Sequence, residues 1–229
     1  PPRSTLFPYT TLFRSFKTSG YREYENKKTG EIERAATIIE KNMGIADQKV
    51  AVKIKSNIRK KGLLKYPGYS LSFNGRYIIK NFNRNAENLS FRFLLPEGAG
   101  NITDLKVLYE GSEYTADPDF SDGVEWSGTL RTGESRVFEV SYNAQGTELF
   151  DYAMGNQKSE IKNLEVEIVT DFDECDIPNG TMIPSSQGGD NDMTKFSWKA
   201  SNLVTGQNIS LKFNIPGNYG ELVSKLYYY

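Results

Sequence analysis

From Val50 onward the chain alternates. QKVAVKIKSNI sets apolar side chains against polar ones at period two, the pattern of a strand with one face in a core and the other in water. The same alternation returns in YSLSF, RYIIKNF, LSFRFLL, DLKVLYE, RVFEVSY, LEVEIVTDF, KFSWKA and ISLKFNI, with Gly, Pro, Asn and Asp clusters between them. Short strands at this cadence predict an all-β chain folded as an antiparallel β-sandwich. One segment departs from the pattern. TGEIERAATIIEKNMG, residues 29–44, carries Ile32, Ala35, Ala36, Ile39 and Met43 at helical spacing with Gly44 as a stop, and predicts one short N-terminal helix.

The alternation also repeats on a longer scale. WSGTLRTGESRVFEVSY (126–142) lines up with WKASNLVTGQNISLKFN (198–214), and upstream NLSFRF from Asn88 lines up with NLEVEI from Asn163. Each copy reads as a strand with a Trp, a Thr-Gly turn, and a return strand whose Phe138, Val140 and Tyr142, or Ile209, Leu211 and Phe213, face a core. That predicts the same hairpin made twice. A copy of this length falls short of the ~100 residues of an independent sandwich, so two related halves in one extended sandwich are expected, with two small domains as the other arrangement. The boundaries that follow are 16–49 for the helix and linker, 50–145 for the first half, 146–216 for the second and 217–229 for a juxtamembrane segment.

The ends change the picture. Residues 5–15, TLFPYTTLFRS, are what a common short-read sequencing adapter encodes in one frame, so residues 1–15 are expected to be foreign to the native protein and are left out of the fold reading. At the other end ELVSKLYYY places Lys225 and three tyrosines after the last strand, a composition typical of membrane interfaces, and a membrane span just beyond Tyr229 is expected. No run of 18 or more apolar residues lies between.

Composition mainly excludes. The 229 residues contain no His, which removes Ser-His-Asp and Cys-His nucleophiles, zincin-type metal sites and the commonest general base at neutral pH. Cys175 is the single cysteine, so an intramolecular disulfide, a CxxC redox pair and a cysteine zinc site are excluded as well. With 28 Lys and Arg against 29 Asp and Glu, the net charge of −1 gives no footprint for nucleic acid. Aromatics at 13% support the β class. A non-catalytic chain without a cofactor is expected.

Several clusters carry candidate chemistry. DFDECDIPNG offers Asp171, Asp173 and Asp176, with Asp190 and Asp192 in GGDND, as oxygen ligands for calcium, but the spacing fails the EF-hand pattern and solvated loop carboxylates are the competing reading. Asp119, Asp122 and Glu125 could form a glycosidase carboxylate pair, against ordinary turn chemistry. Trp126 and Trp198 could stack on sugars; their duplication at matched positions favours structural anchors. The basic run NIRKKGLLKY (57–66) reads as a solvated strand edge, and Asn-x-Ser/Thr triplets at Asn88, Asn101, Asn179 and Asn208 carry no weight.

RKKGLLKYPGYSLSFNGRYIIKN (59–81) resembles a stretch of the CreD-like inner-membrane proteins, also called cell-envelope integrity proteins, in which a basic-Gly-apolar run precedes an aromatic-x-Gly-x-aromatic strand, here Phe73, Gly75 and Tyr77. The resemblance implies a β-rich extracytoplasmic region on the periplasmic side of a bacterial inner membrane, flanked by membrane helices and without catalytic residues. The expected function is therefore a binding or structural role in the cell envelope, with the chain's own transmembrane segments and an unidentified envelope protein or ligand as partners and no nucleic acid. A secreted carbohydrate-binding or adhesin-like module is the alternative, and a carboxylate-dependent glycoside hydrolase the third.

Overall fold

The computed structural model of the chain describes residues 9–25, 30–42, 44–61, 64–66, 68–97, 101–115, 123–154, 159–172, 174–190 and 192–214. Its strands are, in chain order, β1 (Tyr9–Glu25), β2 (Ile32–Asn42), β3 (Ile45–Ser56), β4 (Arg59–Lys61), β5 (Leu64–Tyr66) and β6 (Tyr69–Lys80). There follow β7 (Glu87–Glu97), β8 (Ile102–Tyr109), β9 (Ser112–Glu113), β10 (Val124–Leu130), β11 (Ser135–Gly146) and β12 (Leu149–Ala153). The last are β13 (Ser159–Thr170), β14 (Glu174–Asp176), β15 (Ser186–Asp190), β16 (Met193–Thr205) and β17 (Ile209–Asn214).

Two sheets face each other as a β-sandwich. The larger runs β15-β16-β13-β3-β6-β11-β8-β9, the smaller β10-β7-β1-β12-β17-β14 with β2 added to β1, and β4-β5 form a separate ribbon. Period-two alternation explains the packing. In β6, Tyr69, Leu71, Phe73, Gly75, Tyr77 and Ile79 are buried and the residues alternating with them are not. Rings from the two sheets meet in the middle, with Phe73 against Phe93 at 5.8 Å, Phe91 stacked on Phe138 at 4.2 Å and Tyr69 edge-on to Phe213 at 5.2 Å between centroids.

The internal repeat is built by register rather than by hairpins. Phe91 pairs with Trp126 and Asn88 with Thr129; at the corresponding places of the second copy, Val166 pairs with Trp198 and Asn163 with Ser201. Each copy's return strand, however, leaves for the opposite sheet: β10 lies in the smaller sheet and β11 in the larger, β16 in the larger and β17 in the smaller. The expected hairpin is thus corrected to an arch between sheets, because each Thr-Gly segment joins strands that pair with other partners. At the first arch Asn81, which is buried, donates through Nδ2 to Leu130 O at 2.9 Å and Asn85 O at 2.8 Å, while Gly133, at φ 77, donates its N–H to Asn81 O.

The correspondence extends to whole sheets. Swapping the sheets maps β10-β7-β1-β12-β17 onto β16-β13-β3-β6-β11 in the same order. The mapped pairs keep their register, since Tyr77 sits opposite Phe138 and Tyr152 opposite Ile209. Tyr77 and Tyr152 are therefore equivalents, and their hydroxyls hydrogen-bond to each other at 3.1 Å in the core. Gln48 Nε2 donates to the Tyr152 hydroxyl at 2.9 Å, which helps satisfy this buried polar point. The central slot is the exception. Relative to its neighbours β1 is antiparallel to β7 and parallel to β12, whereas β3 is parallel to β13 and antiparallel to β6, so the two fillers run in opposite senses.

One expectation is corrected at the N-terminal end. The helix predicted over 29–44 is strand over Ile32–Asn42, paired residue for residue with Ser15–Glu25 of β1; Met43 lies outside the described residues. The consecutive β-branched residues Thr37, Ile38 and Ile39 favour a strand, and the edge of β1 offers backbone groups that a helix would leave unpaired. Residues 9–15, read above as adapter-derived, begin β1: Tyr9–Lys17 pairs with β7 and Tyr9–Thr11 with β12. An extended segment is what that slot between two strands requires, and TTLFRSF can supply its backbone.

Candidate functional site

The outer face of the larger sheet carries a groove of about 340 Å³ over β3, β6, β11 and β8. Its floor follows from strand register. Lys53, Ser72, Asn143 and Thr103 form one row of cross-strand neighbours, and Lys55, Ser70 and Gln145 the next. Four strands spaced ~4.8 Å apart make that first row about 14 Å wide. Over the groove, the outward positions of the two middle strands are small or amide-bearing: Ser70, Ser72 and Asn74 on β6, Ser141, Asn143 and Gln145 on β11. None of these residues is β-branched or aromatic, the types that pack best on a pleated sheet, and Asn is depleted in strands. Between the long lysines of β3 and the wall of β8 they leave a depression lined by hydroxyls and amides.

A bulge shapes the β8 wall. Thr103 pairs with Asn143 and Lys106 with Ser141, so β8 has one residue more than β11 across this step. Asp104 sits there at φ 54, in the left-handed region that side chains other than glycine rarely adopt. Its Oδ2 accepts hydrogen bonds from Asn143 Nδ2 at 2.7 Å and Thr103 Oγ1 at 3.3 Å. The carboxylate thus ties two groove residues together.

On the smaller sheet, the matching point of β12 and β17 is buried. Arg76 and Glu139, cross-strand partners on the outside of the larger sheet, form a half-exposed ion pair at 3.6 Å. Their counterparts under the sheet exchange, Asp151 and Ser210, are buried. Asp151 accepts from Ser210 Oγ and, at 2.8 Å, from Asn208 Nδ2, and burial raises its pKa above the usual carboxylate value despite both bonds. On the open face, Lys49 and Lys199 flank Glu165, each at 3.2 Å, and their hydrogen bonds lower its pKa.

The residues singled out from sequence are dispersed. Asp171 Oδ1 accepts from the Ser56 N–H at 2.6 Å and Asp176 Oδ2 from Asn214 Nδ2 at 2.6 Å, while Asp173 lies outside the described residues. Asp190 pairs with Met193 in the β15–β16 turn, and Asp192 occupies a left-handed turn position. Among the described residues no group of three or more Asp, Glu, His or Cys is placed to hold a metal. Asp119 and Asp122 lie outside the described residues; Glu125 is exposed, and its carbonyl accepts from the Tyr114 hydroxyl at 2.7 Å.

The two tryptophans differ. Trp198 is fully buried, packs on Phe196 at 6.3 Å and donates from Nε1 to Met182 O at 2.9 Å. Trp126, on edge strand β10, is half-buried against Tyr109 and Phe138. Cys175 borders a separate cavity of about 260 Å³ between β14 and β15–β16, and burial, with the charge of Asp176, pushes its thiol up to about 11. The groove itself was missed in the sequence, although its signal was there: the outward residues of YSLSFN and VSYNAQ are Ser, Asn and Gln, in strands that pair with each other.

No protein-family model matches the chain, and no curated protein does. Among solved structures it is similar to a crystal structure from Legionella pneumophila described as a "putative nutrient binding protein", with a TM-score of 0.55 at 13% identity over 93% of this chain and 74% of that one. The likeness is one of fold. No helix among the described residues is long and apolar enough to cross a membrane.

Proposed function

We propose that the chain is a non-catalytic, extracytoplasmic β-sandwich of a cell-envelope membrane protein, and that it works by binding through the outer face of its larger sheet. The observation that carries the binding role is the groove over β3, β6, β11 and β8, where Ser, Asn and Gln occupy the centre of a sheet that β-branched residues would stabilise better. A surface held in that form at a cost in sheet propensity is the kind on which recognition residues collect. The membrane setting rests on the likeness of 59–81 to CreD-like proteins, whose β-rich region lies on the periplasmic side. The aromatic-Gly-aromatic element of that likeness has a structural reason here, because a side chain on Gly75 would run into Phe73 and Tyr77.

Binding is tested by titrating the chain with envelope polymers, acidic and neutral, and analysing the recovered polymer by mass. Saturable binding that is lost in Ser72→Trp, with the polymer intact, supports the proposal. Cleaved product, or binding unaffected by Ser72→Trp, refutes it. The membrane setting is tested on the native gene: apolar segments of ~20 residues flanking the β-rich region support it, and a gene without them overturns it.

A further inference from the structure

We infer that the groove on the larger sheet takes an acidic saccharide, with Lys53 and Lys55 meeting its anionic groups and the Ser70, Ser72, Asn143 and Gln145 floor meeting its hydroxyls. The inference rests on the binding role proposed above and adds the chemistry of the ligand. Its first support is charge. Two lysines line the groove and, among the described residues, no carboxylate does; Asp104, at the β8 wall, is turned to Asn143 and Thr103. Lys53 and Lys55 both extend from the outer face of β3, two residues and therefore ~6.6 Å apart, so they can meet successive charges on a chain molecule.

The floor decides between anions. Hydroxyl and amide side chains each offer both a donor and an acceptor, which matches a ligand that is itself covered in hydroxyls; a bare ion needs donors only. The row and spacing of these groups are fixed by register across paired strands, so the array is laid out before any ligand arrives. Asp104 acts as a positioning residue, since its bond to Asn143 Nδ2 holds that amide in place. A neutral sugar is disfavoured because no aromatic ring among the described residues lines the groove; the rings of these strands, Tyr69, Phe73 and Tyr142, are buried on the core side. A peptide is disfavoured too. β3, β6 and β11 are paired on both sides, so they offer no free edge to an added strand, and the apolar lining residues, Leu71 and Ala144, belong to the core face.

The test titrates the full chain with oligogalacturonate, a sugar-phosphate polymer, free inorganic phosphate and a neutral oligosaccharide of matched length. The expected result is binding of at least one acidic saccharide at least tenfold tighter than the neutral one and than free phosphate, weakened by salt, and reduced at least tenfold in the Lys53→Ala, Lys55→Ala double variant. Both lysines are exposed, so the variant should unfold at the wild-type temperature. Asn143→Ala, which removes a floor amide and leaves both lysines, should weaken binding severalfold without changing the salt dependence, and unchanged binding would remove the floor from the inference. Equal affinity for the neutral oligosaccharide, an unchanged double variant, or binding of phosphate alone overturns the inference. If a neutral polymer binds and is lost in Ser72→Trp but kept in the lysine variant, the binding role stands and the acidic ligand falls.

Discussion

Gly75 is where the fold should be most sensitive to the smallest possible change. It sits in the middle of β6 on the core face, and a Cβ there would come within 2.5 Å of Tyr77 Oη, 2.8 Å of Tyr77 Cε2 and 2.9 Å of Phe73 Cε1. Neither ring can swing away into water, since both residues are fully buried, and the Tyr77 hydroxyl is held at 3.1 Å by Tyr152 from the opposite sheet. Alanine would be favoured over glycine in a strand interior by about 0.5–1 kcal/mol. Against this stand ~1–3 kcal/mol of overpacking and ~1–2 kcal/mol for disturbing a buried hydrogen bond. Gly75→Ala is therefore expected to destabilise by about 2–3 kcal/mol, or ~5–10 °C in Tm for a chain of this size.

The assay is thermal and urea unfolding of the wild type, Gly75→Ala, Tyr77→Phe and the double variant. Tyr77→Phe removes the hydroxyl oxygen that makes the nearest contact, leaving carbons at 2.8 and 2.9 Å. The cost of Gly75→Ala should then fall by ~1–2 kcal/mol when Tyr77→Phe is already in place, a coupling that a double-mutant cycle resolves. A neutral or stabilising Gly75→Ala, or an equal cost in both backgrounds, would refute the packing described for this strand.

Three further outcomes follow from the same structure. Cys175, with its thiol at about 11, should react with a disulfide reagent at pH 8 about a hundredfold more slowly than a free thiol of pKa ~8.5, with a rate that climbs to pH 10; a plateau near pH 8.5 would contradict its burial. For Asp151 the folded pKa is raised above 3.8, so the folded chain binds the proton more tightly than the unfolded one, and this contribution to stability is present below pH 3.8 and lost as pH rises through the raised value. The Tm of the wild type relative to Asp151→Asn should accordingly fall as pH is raised from 3 to 7, and a relative rise would reverse the assignment. Trp198→Phe should cost ~2–4 kcal/mol by urea unfolding, through a cavity and the lost bond to Met182, whereas Trp126→Phe at the half-buried edge should cost about 1 kcal/mol; equal costs would place both in one environment.

The strands were legible because each alternates, and alternation is a local property. Ile32–Asn42 misled for the same reason: Ile32, Ala35, Ala36 and Ile39 fit a helical face, while the partner that makes the segment a strand, Ser15–Glu25, lies outside that local pattern. What local pattern cannot carry is sheet membership. Tyr77 lies in an alternating strand and Tyr152 in one buried at consecutive positions, and nothing in either sequence says that one belongs to the larger sheet and the other to the smaller. The site was hidden by a related limit. Ser72 and Asn143 are ordinary polar positions until register places them side by side, and Asp104 reads as a turn residue until the bulge brings it to Asn143.

The repeat therefore means something different from two halves set next to each other. Of its four matched strands each copy gives two to each sheet, and the copies exchange sheets, so each sheet is built from both copies. The hydrogen bond of Tyr77 to Tyr152 ties the copies at equivalent points, and cutting the chain between them would leave two incomplete sheets. Burial breaks this symmetry where topology keeps it: Arg76 and Glu139 face solvent while Asp151 and Ser210, at the matching places, are buried. If the groove over β3, β6, β11 and β8 binds as proposed, mutations at the two places should separate: loss of stability around buried Asp151, loss of binding around Ser72.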